Sequence, residues 1–363
     1  MARLSQDSGR SRGRPGLLVH QALAGLVGLA CVGLAASGCT ASPSGGGTTT
    51  SVPNGGVPTT SIVPVTIPGT LDPGSLSPLG SASRLPVAPV PVGRSVAVLP
   101  RPGTAAYRQV VQIAYRQLGS GPPLLLVAGQ DASMAWWSPA LLQTLAQHYQ
   151  VTIFDLPGVG YSAPPPARLS VSWLADVTAG LASELGLSSP VVLGWGLGGQ
   201  IALAMAERHP ALVRDLVLVD SGAPVPGAEP PPASLARLLA RPTVTPAEVA
   251  TLMFPASEGA ARATWLQDLV SQVPDNVTAS AISAEASLER SVWSSPALSA
   301  GLSSLRLPVL VVGGSADSLF PPADASALVA AIPGSQSRTI PGGYGAIQAD
   351  AAQILTVLQD FTG

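Results

Sequence analysis

The sequence contains no lysine, only two cysteines and only three histidines among its 363 residues. Its formal net charge is -2, and all 18 basic residues are arginine. This charge balance does not provide the basic surface that nucleic-acid binding needs, so no nucleic-acid partner is expected. The histidines and cysteines form no cluster with the spacing of metal ligands, so we expect neither a metal site nor another cofactor.

The N-terminal segment instead predicts export and attachment to a membrane. Four arginines precede an apolar run over residues 17–36 that ends in small residues, as secretory signals do. The letters ASGC that end at Cys39 resemble a bacterial lipobox, which implies cleavage before Cys39 and attachment of acyl chains such as palmitate to its sulfur. Residues 1–38 are then the signal peptide, and the mature lipoprotein is anchored to the outer face of the cell membrane. Two alternatives stay open: a lipobox at Cys31, and an uncleaved apolar run that acts as a signal anchor.

Beyond Cys39 the chain has no further cysteine, so cleavage there leaves no disulfide in the mature protein. Residues 39–94 are rich in Ser, Thr, Pro and Gly, and such a segment cannot bury enough apolar surface to fold. We interpret it as a disordered tether that holds a folded domain, residues 95–363, away from the membrane.

Apolar runs and helical segments alternate in this domain, which predicts an α/β fold with a mostly parallel sheet and helices on both faces. Continuous runs of Val and Leu are typical of parallel strands that are buried on both sides. The predicted strands are 110–118, 123–128, 151–156, 190–195, 216–220, 308–314 and 337–341. The predicted helices are 139–147, 171–185, 199–208, 323–331 and 348–361.

One stretch, at about 222–305, interrupts the alternation and contains only helical patterns. Its position between two predicted strands suggests an insertion that acts as a lid over a binding site. Helices that only pack against the domain, without a role in access, would show the same pattern, so both interpretations stay open.

The letters VVLGWGLGGQ at 191–200 place a glycine-rich turn between a strand and a helix. This turn resembles the G-x-S-x-G nucleophile elbow of the α/β-hydrolase superfamily. Further segments resemble other parts of the same family in the same order: LLLVAGQDASMAWW the oxyanion loop, FDLPGVGYSAP the loop after the next strand, LPVLVVGGSADSLFPP the segment of the catalytic acid, and IPGGYGAIQ the segment of the catalytic base. The resemblance covers about 260 residues and implies the α/β-hydrolase fold with a helical lid insertion.

The resemblance also implies a catalytic triad, and two of its three positions are glycine. The nucleophile position is Gly196 and the base position is Gly345, while the acid position retains Asp317. Removing the nucleophile or the base of such a triad costs about 10⁶ in rate. His148 and His209 lie at ends of predicted surface helices, where family members carry structural histidines. We therefore expect no standard Ser-His-Asp catalysis.

A glycine also suits the elbow physically. The elbow residue has a positive φ, which costs a residue with a side chain about 1 to 3 kcal/mol. Glycine adopts this conformation without strain. The turn would then be retained for the sheet and the helix that it connects.

Three hypotheses about function follow. In the first, the protein binds a hydrophobic small molecule or an envelope protein in the former substrate pocket, whose predicted oxyanion donors are the backbone N–H groups of Leu197 and Gln130. In the second, it is an esterase-like hydrolase with a displaced mechanism, in which a serine or tyrosine attacks or a carboxylate activates water. In the third, it is a structural envelope component whose pocket has collapsed. The predicted pocket residues are Gln130, Trp136, Trp195, Leu197, Trp265, Trp293 and Tyr344; the candidate replacements for the nucleophile or base are Ser133, Ser162, Ser221, Tyr344, Asp131, Asp220 and Asp317.

Overall fold

Strands lie at nearly all the predicted positions. A computed structural model describes residues 94–98, 109–164, 169–271 and 277–363, so the predicted signal peptide, Cys39 and nearly all of the tether lie outside the described residues. The described strands are β1 (Arg94–Val98), β2 (Gln109–Ile113), β3 (Tyr115–Leu118), β4 (Pro123–Val127), β5 (Gln150–Phe154), β6 (Val191–Trp195), β7 (Asp215–Val219), β8 (Val309–Gly314) and β9 (Gln336–Ile340). β1 begins one residue before the predicted start of the folded domain.

Strands β3 to β9 form one sheet in the order β3-β5-β4-β6-β7-β8-β9. β3 pairs antiparallel with β5, and the other neighbours are parallel. All residues of β6, β7 and β8 are buried. Their apolar runs fit this position, because helices cover both faces of a parallel sheet. The predicted mostly parallel sheet is confirmed.

The prediction of one strand over 110–118 was wrong. The segment divides at Ala114, whose N–H donates to Oγ of Ser162 at 3.0 Å and whose carbonyl accepts from the N–H of Asp155 at 3.0 Å. These bonds remove Ala114 from strand pairing. β2 pairs with β1 in a separate two-stranded sheet, whereas β3 joins the edge of the main sheet.

In the described part of the chain, six helices flank the sheet outside the predicted insertion. They are α1 (Pro139–Ala146), α2 (Val171–Glu184), α3 (Leu197–Arg208), α8 (Pro322–Ala331), α9 (Ala346–Ala349) and α10 (Ala351–Thr362). The side chains of α2 and α3 pack with Leu125 and Val127 on one face, and those of α1 and α10 pack with Leu124 and Leu126 on the other. The predicted two-sided packing is therefore present.

The chain between β7 and β8 is a helical insertion, as predicted. It contains α4 (Ala233–Leu239), α5 (Pro246–Met253), α6 (Gly259–Ser271) and α7 (Ala279–Trp293). α5 and α6 pack on the face that carries α1 and α10, while Leu288 and Val292 of α7 pack on the opposite face. The role of the insertion as a lid stays a prediction. Among the described residues, no helix combines the length and the hydropathy that crossing a bilayer requires.

Candidate functional site

The predicted elbow is present between β6 and α3. Gly196 has φ 57° and ψ -121°, so the positive φ expected at this position is confirmed. Its N–H donates to the carbonyl of Val219 at 3.1 Å, and its own carbonyl accepts from the N–H of Gly199 at 2.9 Å and from Oγ of Ser221 at 2.7 Å. The turn therefore keeps its sharp geometry without a nucleophilic side chain.

Close packing explains why the neighbouring glycines remain. A Cβ atom at Gly198 would overlap with the carbonyl oxygen of Val127 in β4, and one at Gly199 would overlap with the side chain of Ser221. α3 therefore approaches the sheet more closely than a residue with a side chain would allow. These glycines are required by the packing of α3 on the sheet.

Tyr344 occupies the space above the elbow. Its ring stacks on that of Trp195, with 4.8 Å between centroids and 28° between the planes. The indole N–H of Trp195 donates to the carbonyl of Tyr344 at 2.9 Å. A Cβ atom built on Gly196 would overlap with the hydroxyl oxygen of Tyr344. The phenol thus lies where the side chain of a nucleophile would begin.

The position predicted for the base is also filled by neighbouring side chains. A Cβ atom at Gly345 would lie 2.9 Å from the ring of Phe254 and 3.0 Å from Cβ of Met253, both in the helical insertion. The N–H of Gly345 donates to the carbonyl of Met253 at 2.8 Å. A histidine at this position would have to displace the insertion.

Asp317, at the acid position, follows β8 and is 5% exposed. Its Oδ1 accepts from the N–H groups of Leu319 at 2.7 Å and Phe320 at 3.1 Å. Burial raises the pKa of Asp317 to about 7, although the two backbone hydrogen bonds oppose this effect and the charge of Asp324 adds to it. Asp317 is held by its own loop and has no imidazole to orient.

Asp220 lies beside Asp317 at the end of β7. Its φ is 44°, and its Oδ1 accepts from the N–H of Gly314 at 2.7 Å. Burial, and then the charge of Asp317, raise the pKa of Asp220 well above its usual range, against the opposing effect of the Gly314 hydrogen bond. Two buried carboxyl groups thus lie close together near the former triad.

The helical insertion adds two further carboxyl groups, which the sequence reasoning missed. Oε2 of Glu285 accepts from the N–H of Asp131 in the oxyanion loop at 2.6 Å. Oε1 of Glu289 accepts from Nε2 of Gln200 in α3 at 2.8 Å and from the indole N–H of Trp293 at 3.1 Å. Glu285 is 1% exposed and Glu289 is 8% exposed. The sequence contains a signal for their burial: Glu285 and Glu289 lie on the same helix face as the apolar residues Ile282 and Val292.

Burial has a large effect on these groups. It raises the pKa of Glu285 well above its usual range, and the charge of Asp131 raises it further; burial also raises the pKa of Glu289. The pKa of Tyr344 is raised well above 10 by burial and then by the charges of Asp317, Glu289, Asp220 and Asp131, in decreasing order. The phenol is therefore neutral at physiological pH and is a poor nucleophile.

The candidate serine nucleophiles make structural hydrogen bonds. Oγ of Ser133 accepts from the N–H of Ala135 at 3.2 Å, and Oγ of Ser221 donates to Gly196. Oγ of Ser162 donates to the carbonyl of Asp155 at 2.7 Å and accepts from Ala114. Each hydroxyl holds a loop or a strand end in place, and no contact with a histidine is described for any of them.

The two histidines of the folded domain lie as expected for structural residues. His209 follows α3, and its Nε2 lies 2.8 Å from a carboxylate oxygen of Asp176, which also binds Arg208. His148 follows α1, and its Nδ1 lies 3.5 Å from Nε2 of Gln359 in α10. Neither pair includes a residue of the former triad.

Five of the seven predicted pocket residues are buried, namely Trp136, Trp195, Leu197, Trp265 and Tyr344. Trp195 is 0% exposed and Leu197 is 1% exposed, so these two side chains belong to the core. Trp136 contacts Trp195 and Trp265, with centroid distances of 6.4 Å and 5.5 Å, and the indole N–H of Trp265 donates to the carbonyl of Trp136 at 3.0 Å. These aromatic residues contact one another because the insertion packs directly on the sheet end.

Three other predicted pocket residues lie nearer to the surface or to the carboxyl groups. Gln130 and Trp293 are partly exposed, and Nε2 of Gln130 donates to Oδ2 of Asp131 at 3.0 Å. Tyr344 is 5% exposed. The function of the Leu197 and Gln130 N–H groups as oxyanion donors stays a prediction. In the described part of the chain, no group of three or more His, Cys, Asp or Glu residues could hold a metal ion.

Comparison with known proteins identifies the scaffold. A sequence model described as alpha/beta hydrolase fold matches residues 122–352. Pimeloyl-[acyl-carrier protein] methyl ester esterase from Nitrosospira multiformis is 33% identical over 113 residues, which are 31% of this chain and 43% of that protein. The enzyme of the same name from Aeromonas hydrophila is 33% identical over 112 residues, 31% of this chain and 42% of that protein. The chain thus matches less than half the length of these curated relatives.

A solved structure shows the same fold. The thermophilic esterase from Thermogutta terrifontis superposes with a TM-score of 0.60 at 24% identity, over 74% of this chain and 97% of that one. At this identity the likeness concerns the fold alone. Together with the family match over most of the folded domain and the elbow geometry at Gly196, it leads to one conclusion. The chain belongs to the α/β-hydrolase fold family.

Proposed function

We propose that this protein is a non-catalytic member of the family, which binds a hydrophobic ligand or a partner protein beneath its helical insertion. The observation that carries the proposal is the hydroxyl of Tyr344, which lies at the elbow above Gly196 where a nucleophile would begin. Glycine also occupies the base position, next to Phe254 and Met253. The two groups that transfer the acyl chain and the proton are both missing from their places in the fold.

The charges around the elbow support this proposal. An ester hydrolase stabilises an oxyanion with preorganised donors. Here four carboxyl groups, of Asp131, Asp220, Glu289 and Asp317, act on the hydroxyl of Tyr344. Any negative charge on them opposes a second negative charge at the elbow. The N–H of Asp131 in the oxyanion loop, moreover, already donates to Glu285. Such a site favours neutral or cationic ligands over an oxyanion.

Location is the second part of the proposal. The lipobox-like sequence at Cys39 supports an exported protein with a lipid anchor, and the following tether supports a domain that stands away from the membrane surface. A ligand of this domain would then be met outside the cell membrane, where it is either captured from the envelope or presented by another envelope protein.

The names of the relatives favour a second candidate, an esterase-like hydrolase with a displaced mechanism. The burial of Trp195 and Leu197 favours a third, a structural envelope component. Turnover separates the second candidate from the other two. Binding of a ligand separates the first from the third.

The test measures hydrolysis of short p-nitrophenyl esters by the full-length chain and its labelling by a fluorophosphonate, which reacts with activated serines. We expect neither turnover above background nor labelling in the natural chain. The informative variant combines Gly196→Ser and Gly345→His with Tyr344→Ala and Phe254→Ala, because Tyr344 obstructs a side chain at 196 and Phe254 obstructs one at 345. Labelling of this quadruple variant would show that the scaffold still supports the chemistry. Turnover of the natural chain above about 1 s⁻¹, a rate ordinary for enzymes, would overturn the proposal.

A further inference from the structure

Helix α7 carries two buried carboxyl groups, one bonded to the elbow helix α3 and the other to the oxyanion loop. Glu285 and Glu289 are four residues apart, so they lie on the same face of α7. Glu285 is held by the N–H of Asp131, at 2.6 Å, and Glu289 by Nε2 of Gln200, at 2.8 Å. The hydrogen bond from Gln200 brings the amide of α3 next to the carboxyl group of Glu289. We call Gln200, Glu285 and Glu289 the acceptor cluster.

Each member of the acceptor cluster has one buried oxygen without a donor in the described part of the chain. These atoms are Oε1 of Gln200, Oε1 of Glu285 and Oε2 of Glu289. Gln200 is 0% exposed, and the two glutamates are more than nine-tenths buried. A buried acceptor that lacks a donor is destabilising, more so when it carries charge. Gln200 and Glu289, which are joined by a hydrogen bond, and Glu285, one turn away on α7, thus offer three acceptors to a group that donates hydrogen bonds.

The described residues supply no cation to this cluster. The ion pairs of Arg208 with Asp176, Arg214 with Asp215 and Arg241 with Glu248 do not involve Glu285 or Glu289, and the sequence contains no lysine. No opposite charge lowers the pKa of Glu285 or Glu289. A primary ammonium group fits the cluster, because it has three N–H donors, no acceptor and one positive charge.

One aromatic ring contacts the cluster, and a second lies close to that ring. The indole N–H of Trp293 donates to Glu289, and the Trp293 ring is only partly buried. The rings of Trp293 and Phe320 both lie against Gly222, within about 3 Å of where a Cβ atom would be. The two rings provide an apolar surface beside the carboxyl group of Glu289. A ligand with a cationic end and an apolar body matches this arrangement.

We propose that Gln200, Glu285 and Glu289 bind the primary ammonium group of a small organic amine, whose apolar part lies against Trp293 and Phe320. The proposal rests on the function proposed above, since it names the ligand class of the same non-catalytic site. It also assigns α7 a role: this helix carries both charged ligands of the amine, so binding joins the insertion to the elbow helix.

The experiment is isothermal titration of the full-length chain in detergent with three probes of equal size: butylammonium, 1-butanol and butyrate. We expect butylammonium to bind and the other two to bind at least about tenfold more weakly, since a hydrogen-bonded charge contributes about that factor. Binding should also release protons, measured as a heat that depends on the buffer, because the ammonium group favours the ionised form of carboxyls whose pKa is raised.

Two variants locate the site. Glu285→Gln and Glu289→Gln each remove one negative charge at nearly constant volume, and each should weaken butylammonium binding by about tenfold or more. Glu184→Gln changes an exposed carboxylate at the end of α2 and should leave the affinity unchanged. Circular dichroism shows whether each variant is folded. The comparison of probes on the natural chain does not depend on any variant.

The outcomes separate this proposal from the previous one. Equal binding of the three probes would overturn the ammonium site while supporting a hydrophobic ligand. Absence of butylammonium binding, or unchanged affinity in both glutamine variants, would also overturn it and leave the non-catalytic function standing. Ester hydrolysis by the natural chain would instead overturn the proposed function itself.

Discussion

At the scale of single residues, Gly196 and Tyr344 act as a pair. The glycine adopts φ 57° without strain, and its missing side chain leaves space for the phenol. Trp195 fixes this phenol by stacking and by a hydrogen bond to the Tyr344 carbonyl. A glycine at position 196 and the phenol above it therefore belong to one structural arrangement.

This pairing predicts a coupling that can be measured. Gly196→Ala should lower the free energy of unfolding by about 2 to 5 kcal/mol, because the alanine is strained at positive φ and overlaps the Tyr344 hydroxyl. Tyr344→Phe removes that hydroxyl. Gly196→Ala should therefore lower the free energy of unfolding less in the Tyr344→Phe variant than in the natural chain. Urea unfolding of both single variants and the double variant gives the coupling energy. Additive effects of the two substitutions would contradict a contact between the Tyr344 hydroxyl and a side chain at position 196.

Asp317 predicts a pH dependence of stability. Burial raises its pKa in the folded state to about 7, above 3.8, so the folded protein holds this proton more tightly than the unfolded chain does. Its contribution is favourable below about pH 4 and is lost as the pH rises to about 7. Asp317→Asn keeps an acceptor for Leu319 and Phe320 and avoids this loss. The variant should therefore become increasingly more stable than the natural chain over that range.

Unfolding by urea at several pH values checks this expectation. Asp360→Asn, an exposed carboxylate of α10, is the matched control and should follow the natural chain. A stability difference between Asp317→Asn and the natural chain that stays constant from pH 4 to 7 would show that the carboxyl is not buried in the way described.

At the scale of elements, contact between α3 and the sheet explains the glycine-rich turn. Gly198 lies against the backbone of β4, and backbone cannot move aside as the end of a side chain can. The packing of a helix on a strand therefore explains the glycines of the motif GWGLGG.

Gly198→Ala should consequently destabilise the protein by about 3 kcal/mol or more, as expected for overpacking against fixed atoms. Gly259→Ala is a control of the same chemistry, because no atom lies within 4 Å of a Cβ atom at the start of α6. This control should be neutral or slightly stabilising. Thermal unfolding compares the two, and equal stabilities would show that α3 does not approach β4 so closely.

At the scale of the whole molecule, the proposed arrangement has three parts: a lipid anchor, a tether and a folded domain that binds. The anchor depends on one sulfur atom, since Cys39 is the only cysteine beyond residue 31. Two or three acyl chains would suffice for lasting attachment, whereas a single chain would bind marginally.

Cys39→Ser tests this part in bacterial cells. The natural chain should incorporate labelled palmitate and sediment with membranes, and the variant should lose the label, because serine has no sulfur to acylate. Cys31→Ser serves as the control and should keep the label. Loss of label in Cys31→Ser alone would place the lipobox at the other cysteine.

The sequence by itself determined the order of the main strands and the presence of glycine at the predicted nucleophile and base positions. Continuous runs of Val and Leu, separated by helical segments, favour a buried parallel sheet. The glycines at positions 196 and 345 can be read directly from the sequence. The break at Ala114 was not predictable, because it depends on Ser162 and Asp155, which are distant in sequence. The sequence also did not distinguish residues that line a pocket from residues of the core, since the same apolar residues occur in both places.

Only the tertiary structure brought Tyr344 to Gly196, Glu289 to Gln200 and Glu285 to Asp131. These contacts join residues more than 80 positions apart, and neither local propensity nor periodicity contains that information. Burial then changed the chemistry of the residues: it made the Tyr344 phenol harder to ionise and raised the pKa of the carboxyl groups around it. Sequence decides which groups a site can use, while folding decides their neighbours and hence their charge.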